Sequence, residues 1–239
     1  MNAGDASRDP ASGIPTASMA GPMDLEPELL RIGVPRDVPV ILLIGGASGM
    51  ERDAEQAAER VIREGVAPIA AELGAAVIDG GTDAGVMRMA GSARQALGGA
   101  FPLIGVVAAS LVGDGPDPGR RRAFPEPNHS HLVVVPGSTW GDETPWLFDV
   151  AQWIAGARPI RTVLVNGGPI ARAEVEESIR RRIPAIAIHG TGRAADDLGM
   201  NGFSDASPRS YHSGLIEVAE AADVAGLREA LGTALRGTR

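Results

Sequence analysis

Cysteine and lysine are both absent from the 239-residue chain, and aromatic residues make up only 3 % of it. Without a thiol there is no disulfide, no cysteine nucleophile and no thiolate metal site. Without lysine there is no Schiff base, no P-loop lysine and no tyrosine–lysine dehydrogenase pair. All 22 basic residues are arginine, and the four histidines form no dense cluster, so no resident metal is expected. No apolar run approaches the ~20 residues of a membrane helix. A formal charge of −8 lacks the basic footprint that nucleic acid or an anionic membrane surface requires. The expected partner is a small molecule, with homo-oligomerisation left open. The first ~35 residues are rich in Ala, Gly, Ser and Pro and lack a basic start followed by an apolar run, so they do not read as a signal peptide. They read as a flexible tail over residues 1–37, ahead of one domain over 38–239 in a cytoplasmic protein.

What is present is aliphatic. Hydrophobic residues make up 44 % of the chain, and with so few aromatics the core must come from Val, Ile, Leu and Ala. Short β-branched runs read as buried strands at Val40–Ile44, Ala76–Ile78, Phe101–Val107, His131–Val135, Thr162–Val165 and Ile183–Ile188, with Leu215–Val218 as an edge strand. Between them apolar residues recur at helical spacing. Pro68 interrupts one such face and predicts a kink or a fresh start there, and Val224, Leu227 and Leu231 mark a closing helix. Alternation of strand and helix almost throughout predicts an α/β, doubly wound, mainly parallel sheet of about six or seven strands in a single domain. One connection, Ala108–Asn128, is long enough to predict either a functional or a disordered loop.

Five strands end in glycine-rich or Pro-Gly turns, and a parallel sheet gathers all such turns along one edge, where ligands bind at the switch point. Each glycine alone is explained by turn geometry. Together they supply bare amide donors at helix starts, which is what a phosphate requires. The predicted ligand-binding residues are Gly45, Gly46, Ala47 and Ser48; Gly80, Gly81, Thr82, Gly85, Val86 and Met87; Pro136, Gly137, Ser138, Thr139, Gly141 and Glu143; Asn166, Gly167 and Gly168; and Gly190, Thr191, Gly192 and Arg193. Gly190–Ala195 also fits G-x-G-x-x-A, but too near the chain's end for a mononucleotide-binding half to follow, so hydride transfer ranks third.

Three of these stretches carry a resemblance. Gly80-Gly81-Thr82-Asp83-Ala84-Gly85-Val86-Met87 resembles the GGT-x-x-GVM motif of the SLOG superfamily. Asn128-His129-Ser130-His131, Val135-Pro136 and Gly141-Asp142-Glu143 resemble the NHSH segment and acidic loop of the amino-terminal SLOG region in TRPM cation channels. Gly190-Thr191-Gly192-Arg193-Ala194-Ala195-Asp196 resembles their GSGR-x-AD motif, and the order agrees from about Val40 to Leu198. The chain is thereby identified with the free-standing prokaryotic group labelled LSDAT. The resemblance implies a Rossmann-like SLOG fold that binds a nucleotide-derived ligand, ADP-ribose or another NAD metabolite, with no further cofactor required. Other SLOG proteins are LOG-type phosphoribohydrolases, which cleave the bond between a base and a ribose 5′-phosphate and carry PGG-x-GT-x-x-E. Pro136–Glu143 keeps Pro-Gly, a later Gly and a Glu but lacks GGxGT, so the resemblance implies binding ahead of nucleotide N-glycosidic hydrolysis.

Individual side chains in these turns carry expectations of their own. Arg193 follows a Gly-x-Gly turn at a helix start, where an anion meets a guanidinium and backbone donors together. Thr82 and Ser48 offer hydroxyls to phosphate oxygens, Thr82 serving equally as a helix cap. Glu143 either grips ribose hydroxyls or complements a helix dipole, and it is the one catalytic candidate. His129 and His131 alternate along a strand without further metal ligands and are expected to hydrogen-bond the loop network. Trp140 and Trp146 flank the acidic loop; burial is the ordinary explanation, but Trp140 is placed to stack on a base. Arg120-Arg121-Arg122 reads either as a solvated run or as a lid over phosphates.

Overall fold

A computed structural model describes residues 13–113, 123–201 and 214–237. In chain order the elements are β1 (Thr16–Ser18), α1 (Leu25–Arg31), β2 (Val40–Gly45), α2 (Arg52–Arg60), a π-helical segment (Val61–Val66), α3 (Ala67–Leu73), β3 (Ala76–Asp79), α4 (Gly85–Ala96) and β4 (Leu103–Ala108). They continue as β5 (His131–Val135), α5 (Thr144–Ala155), β6 (Ile160–Val165), α6 (Pro169–Arg180), β7 (Ala185–His189), α7 (Ala194–Asn201), β8 (Ile216–Glu220) and α8 (Val224–Arg236). The strands form one eight-stranded sheet in the order β1-β5-β4-β3-β2-β6-β7-β8, and every neighbouring pair is parallel. The sheet therefore has one strand more than the upper expectation, and it is parallel throughout.

Both faces of the sheet are buried, which explains why its strands read as unbroken apolar runs. Period-two alternation divides each strand between two cores. Val40, Leu42 and Ile44 pack into one with Leu147, Phe148 and Ile154 of α5 and Val175 of α6. Ile41 and Leu43 pack into the other with Val61, Ile69, Val86 and Leu227. From β2 the chain winds outward through β3, β4 and β5, then crosses back to β6 on the other side of β2. The strand order reverses between β2 and β6, paired from Val40↔Ile160 to Gly45↔Val165, and a crevice opens beyond their carboxyl ends.

One local expectation is corrected. Residues 13–37, expected to pack little, belong to the domain: β1 pairs with β5, and Ala17, Leu29, Ile32 and Val34 are buried. Without β1 the apolar strand β5 would be an open edge, and α1 covers the same core face, so these residues are held by pairing and burial rather than by composition. Residues 1–12 lie outside the described residues. Pro68 stands in the first turn of α3, the fresh helical start that its position predicts. Ala67 donates its N–H to Ile62 O, five residues back, so the widened π turn absorbs the proline one position later and the chain continues helical to Leu73.

Candidate functional site

The crevice is built on glycines because backbone meets backbone there. A Cβ on Gly45 would stand 2.3 Å from Val165 O, and one on Gly85 only 1.9 Å from Gly46 O. Val86 N–H donates to that same Gly46 oxygen at 3.1 Å. The turns after β2 and β3 are thereby locked together, and α4 starts directly against the β2 turn.

Arg193 spans the crevice. Its Nη1 donates to Ser48 O at 2.9 Å, while Nη2 lies 3.0 Å from where a Cβ on Gly168 would stand. Its backbone is left-handed, with φ of 57° in a non-glycine residue, a conformation that turns the side chain back over β6 and β2. Asn166 and Thr191, both buried, hold the two turns beneath it. Asn166 N–H donates to Thr191 Oγ1 at 2.8 Å and Asn166 Nδ2 to Thr191 O at 2.6 Å, while Thr191 Oγ1 donates to Ile188 O. These two side chains brace the site from below rather than face its opening.

The donors that remain are backbone. Among the described residues, the N–H groups of Ala47, Ser48, Gly49, Gly168, Gly192 and Arg193 donate to no protein acceptor. Helices α2, α4 and α6 also start here without a side-chain cap, whereas α8 is capped by Asp223. Uncapped helix starts and free amides around one guanidinium attract an anion.

Elsewhere along the edge the glycine turns are already satisfied by the chain's own carboxylates. Asp79 Oδ1 accepts Gly81 N–H at 2.7 Å. Asp142 accepts from the amides of Ser138 and Thr139 at 2.8 and 2.9 Å and from Thr139 Oγ1. Gly141 N–H is held by Glu143 at 3.0 Å, and Gly190 N–H by Asp196 at 2.7 Å. Asp142, Asp196 and Asp79 were not singled out from the sequence, although each lies within six residues of the glycine or amide it holds. The residues that converge at the crevice are Gly46, Ala47, Ser48, Gly85, Gly167, Gly168, Gly192 and Arg193. Gly80–Thr82 lies under the returning segment 123–126 instead: Glu126 N–H donates to Gly81 O and Asp83 N–H to Phe124 O. Thr82 is buried there, and the N-cap of α4 is Ala84. Pro136–Thr139 follows β5, three strands beyond β2, about 14 Å away at ~4.8 Å per strand. That turn leans back over α6, since Ile170 Cγ2 lies 3.8 Å from where a Cβ on Gly141 would stand. Arg120-Arg121-Arg122 lies outside the described residues.

Two buried charge groups flank the crevice. His129 Nε2 meets Asp79 Oδ1 and Nδ1 meets Glu126 Oε2, each at 2.8 Å. Burial alone would lower the imidazole's pKa, but the two carboxylates overcome it and push it up to about 9, so His129 is an imidazolium at neutral pH. This clamp ties the segment before β5 to the end of β3. His131 does not share it; its Nδ1 meets Ser130 Oγ at 2.9 Å. On the other side, burial and then the charge of Glu143 push Glu174 up to about 8 against a hydrogen bond from Thr144. Glu143 is itself raised, chiefly by burial. Nothing in the spacing of the sequence marked Glu174, whose neighbour Glu143 lies 31 positions away on another helix. No group of three or more His, Asp or Glu side chains placed to hold a metal ion occurs among the described residues, and none of their helices is long and apolar enough to cross a membrane.

The family model described as "SLOG in TRPM, prokaryote" matches residues 38–229. A transient receptor potential cation channel subfamily M member-like 2 from Nematostella vectensis is 27 % identical over 200 residues, spanning 67 % of this chain but only 13 % of that protein. The fold is shared with the molybdenum cofactor binding protein of Rippkaea orientalis, with TM-score 0.52, 13 % identity and coverage of 82 % of this chain and 98 % of that one. It is shared equally with the molybdenum cofactor carrier protein of Chlamydomonas reinhardtii, with TM-score 0.52, 18 % identity and coverage of 82 % and 99 %.

Proposed function

The chain belongs to the prokaryotic SLOG-in-TRPM family, and on that premise we propose that it binds a nucleotide-derived phosphorylated ligand, of the ADP-ribose or NAD-metabolite kind, at the β2/β6 crevice. The observation that carries this reading is Arg193, held across the switch point between Ser48 and Gly168 and surrounded by unsatisfied amides. A phosphate there receives a planar guanidinium together with backbone donors, a combination that favours anions and needs no metal. The distance from this crevice to the β5 turn suits a two-ended ligand better than a lone phosphate. The net charge of −8 works against indiscriminate anion binding, so recognition depends on this local nest.

A thermal-shift screen over ADP-ribose, NAD and nucleoside monophosphates tests the reading, because a ligand that binds only the native state raises Tm. For a ligand so found, Arg193→Ala is expected to weaken Kd about ten- to a hundredfold. Arg193→Lys restores only part of the affinity, since an ammonium lacks the planar fork. Both variants keep the Cβ that strains this backbone position, so the unliganded Tm is expected to stay within a few degrees of the native value. Unchanged affinity in Arg193→Ala removes the residue from the site. A second reading, hydrolysis of a nucleotide N-glycosidic bond, is favoured by one observation: Glu143 is buried beside Glu174 with its pKa raised, as a proton donor would be. Free base released from nucleoside monophosphates, and lost in Glu143→Gln, would establish it.

A further inference from the structure

Among the described residues only two aromatic side chains, Phe124 and Trp140, are exposed, at 62 % and 48 %; Phe124 lies on the segment that pairs over Thr82, and Trp140 stands in the turn after β5. The other described tryptophans, Trp146 and Trp153, pack against the core. Trp140 sits at the tip of a turn fixed on both sides. Ahead of it, Ser138 and Thr139 are tied to Asp142; behind it, Gly141, with φ of 101°, is tied to Glu143. An indole in such a turn loses little freedom when something stacks on it. Beside the turn lies Ile170, an apolar side chain 40 % exposed in the first turn of α6. Two residues earlier, Gly168 lies against the guanidinium of Arg193. An exposed aromatic–aliphatic surface and a phosphate nest therefore share one helix start.

We propose that Trp140, with Ile170 beside it, is the platform on which the planar base of the bound nucleotide stacks, while its phosphate lies at Arg193. The proposal deepens the reading of the crevice as a nucleotide site and rests on it. The indole supplies a π face and no base-specific hydrogen bonds in this geometry, so the subsite distinguishes nucleotides from sugar phosphates more sharply than one base from another.

Calorimetric titration of AMP and ribose 5-phosphate against the full chain separates the parts, since the two probes differ by the base alone. The native protein is expected to prefer AMP by about ten- to a hundredfold. Trp140→Ala is expected to erase that preference by weakening AMP alone, and Trp140→Phe to retain most of it. Arg193→Ala is expected to weaken both probes by the same factor. AMP should also quench indole fluorescence in the native protein and not in Trp140→Phe. An unchanged AMP to ribose 5-phosphate ratio in Trp140→Ala overturns the platform while leaving the phosphate nest intact. A ratio erased in Trp140→Ala with no effect of Arg193→Ala keeps the platform and overturns the nest. Failure of the native protein to bind either probe overturns both.

Discussion

Gly85 and Gly91 both lie in α4, six residues apart, and both exclude a side chain for reasons outside the helix. At Gly85 a methyl would meet Gly46 O at 1.9 Å and Ala47 Cα at 2.7 Å, both main chain, with φ at 46°. Neither side can yield without opening the β2 turn. Gly85→Ala is expected to destabilise by more than about 3 kcal/mol, read from urea unfolding. At Gly91 helix propensity alone predicts that alanine would stabilise by ~1 kcal/mol. The space is filled by the Glu126 carboxylate, 2.1 Å from the added methyl, and that carboxylate is committed to Asn128 and His129. Gly91→Ala is expected to lose about 2 kcal/mol or more, because a buried carboxylate forced off its imidazolium is left uncompensated.

At the scale of elements, the amino-terminal strand and helix decide where the domain starts. A chain beginning at residue 38, where the family match begins, would expose the β5 edge and leave the places of Met19, Leu29, Ile32 and Val34 empty in the core. Each buried aliphatic side chain contributes about 1.5–3 kcal/mol. The shortened chain is therefore expected to melt at least ten degrees lower than one beginning at residue 13, or to aggregate. Sequence pattern did not reveal this segment because a three-residue strand is too short for alternation, and its Ala, Gly, Ser and Pro content resembles a linker. The remaining strands were legible, since Val40–Ile44 or Ile183–Ile188 closed by glycine is a signal contained within one window. The crevice was half legible. Glycines announce where backbone turns, and the motif around Arg193 gave its place. Which turns keep free amides depends on whether a nearby carboxylate, such as Asp142 or Asp196, folds back onto them, and composition does not decide that.

For the whole molecule, the two buried charge groups give stability one direction of pH dependence. His129 titrates at about 9 when folded against an ordinary 6.5, so its contribution is complete below 6.5 and is lost as pH rises through 9. Glu174 is held neutral up to about 8 against an ordinary 4.5. The unfolded chain releases that proton earlier, so this contribution too is complete below 4.5 and fades as pH rises to 8. Tm is expected to fall steadily from pH 5 to pH 9. Glu174→Gln, which cannot ionise, is expected to flatten the part between 4.5 and 6.5, to lessen the slope from there to 8, and to leave the His129 loss between 6.5 and 9. A native Tm that rises over this interval would contradict both assignments.

The same strand order sets a timetable. β1 pairs with β5 across Thr16↔Leu132, and central β2 pairs with β6 across Val40↔Ile160. On a ribosome adding ~5–20 residues per second, β1 waits on the order of ten seconds for its neighbour, and β2 about as long for its second one. Until then the nascent chain is a half-sheet of β2, β3 and β4 with both edges open, which invites pairing with other chains. The seam that forms late is β2 against β6, and it is the seam that bears the crevice. Under the proposed reading, a growing chain cannot hold its ligand before Arg193 has left the ribosome, and ligand abundance would influence only the final stage of its folding.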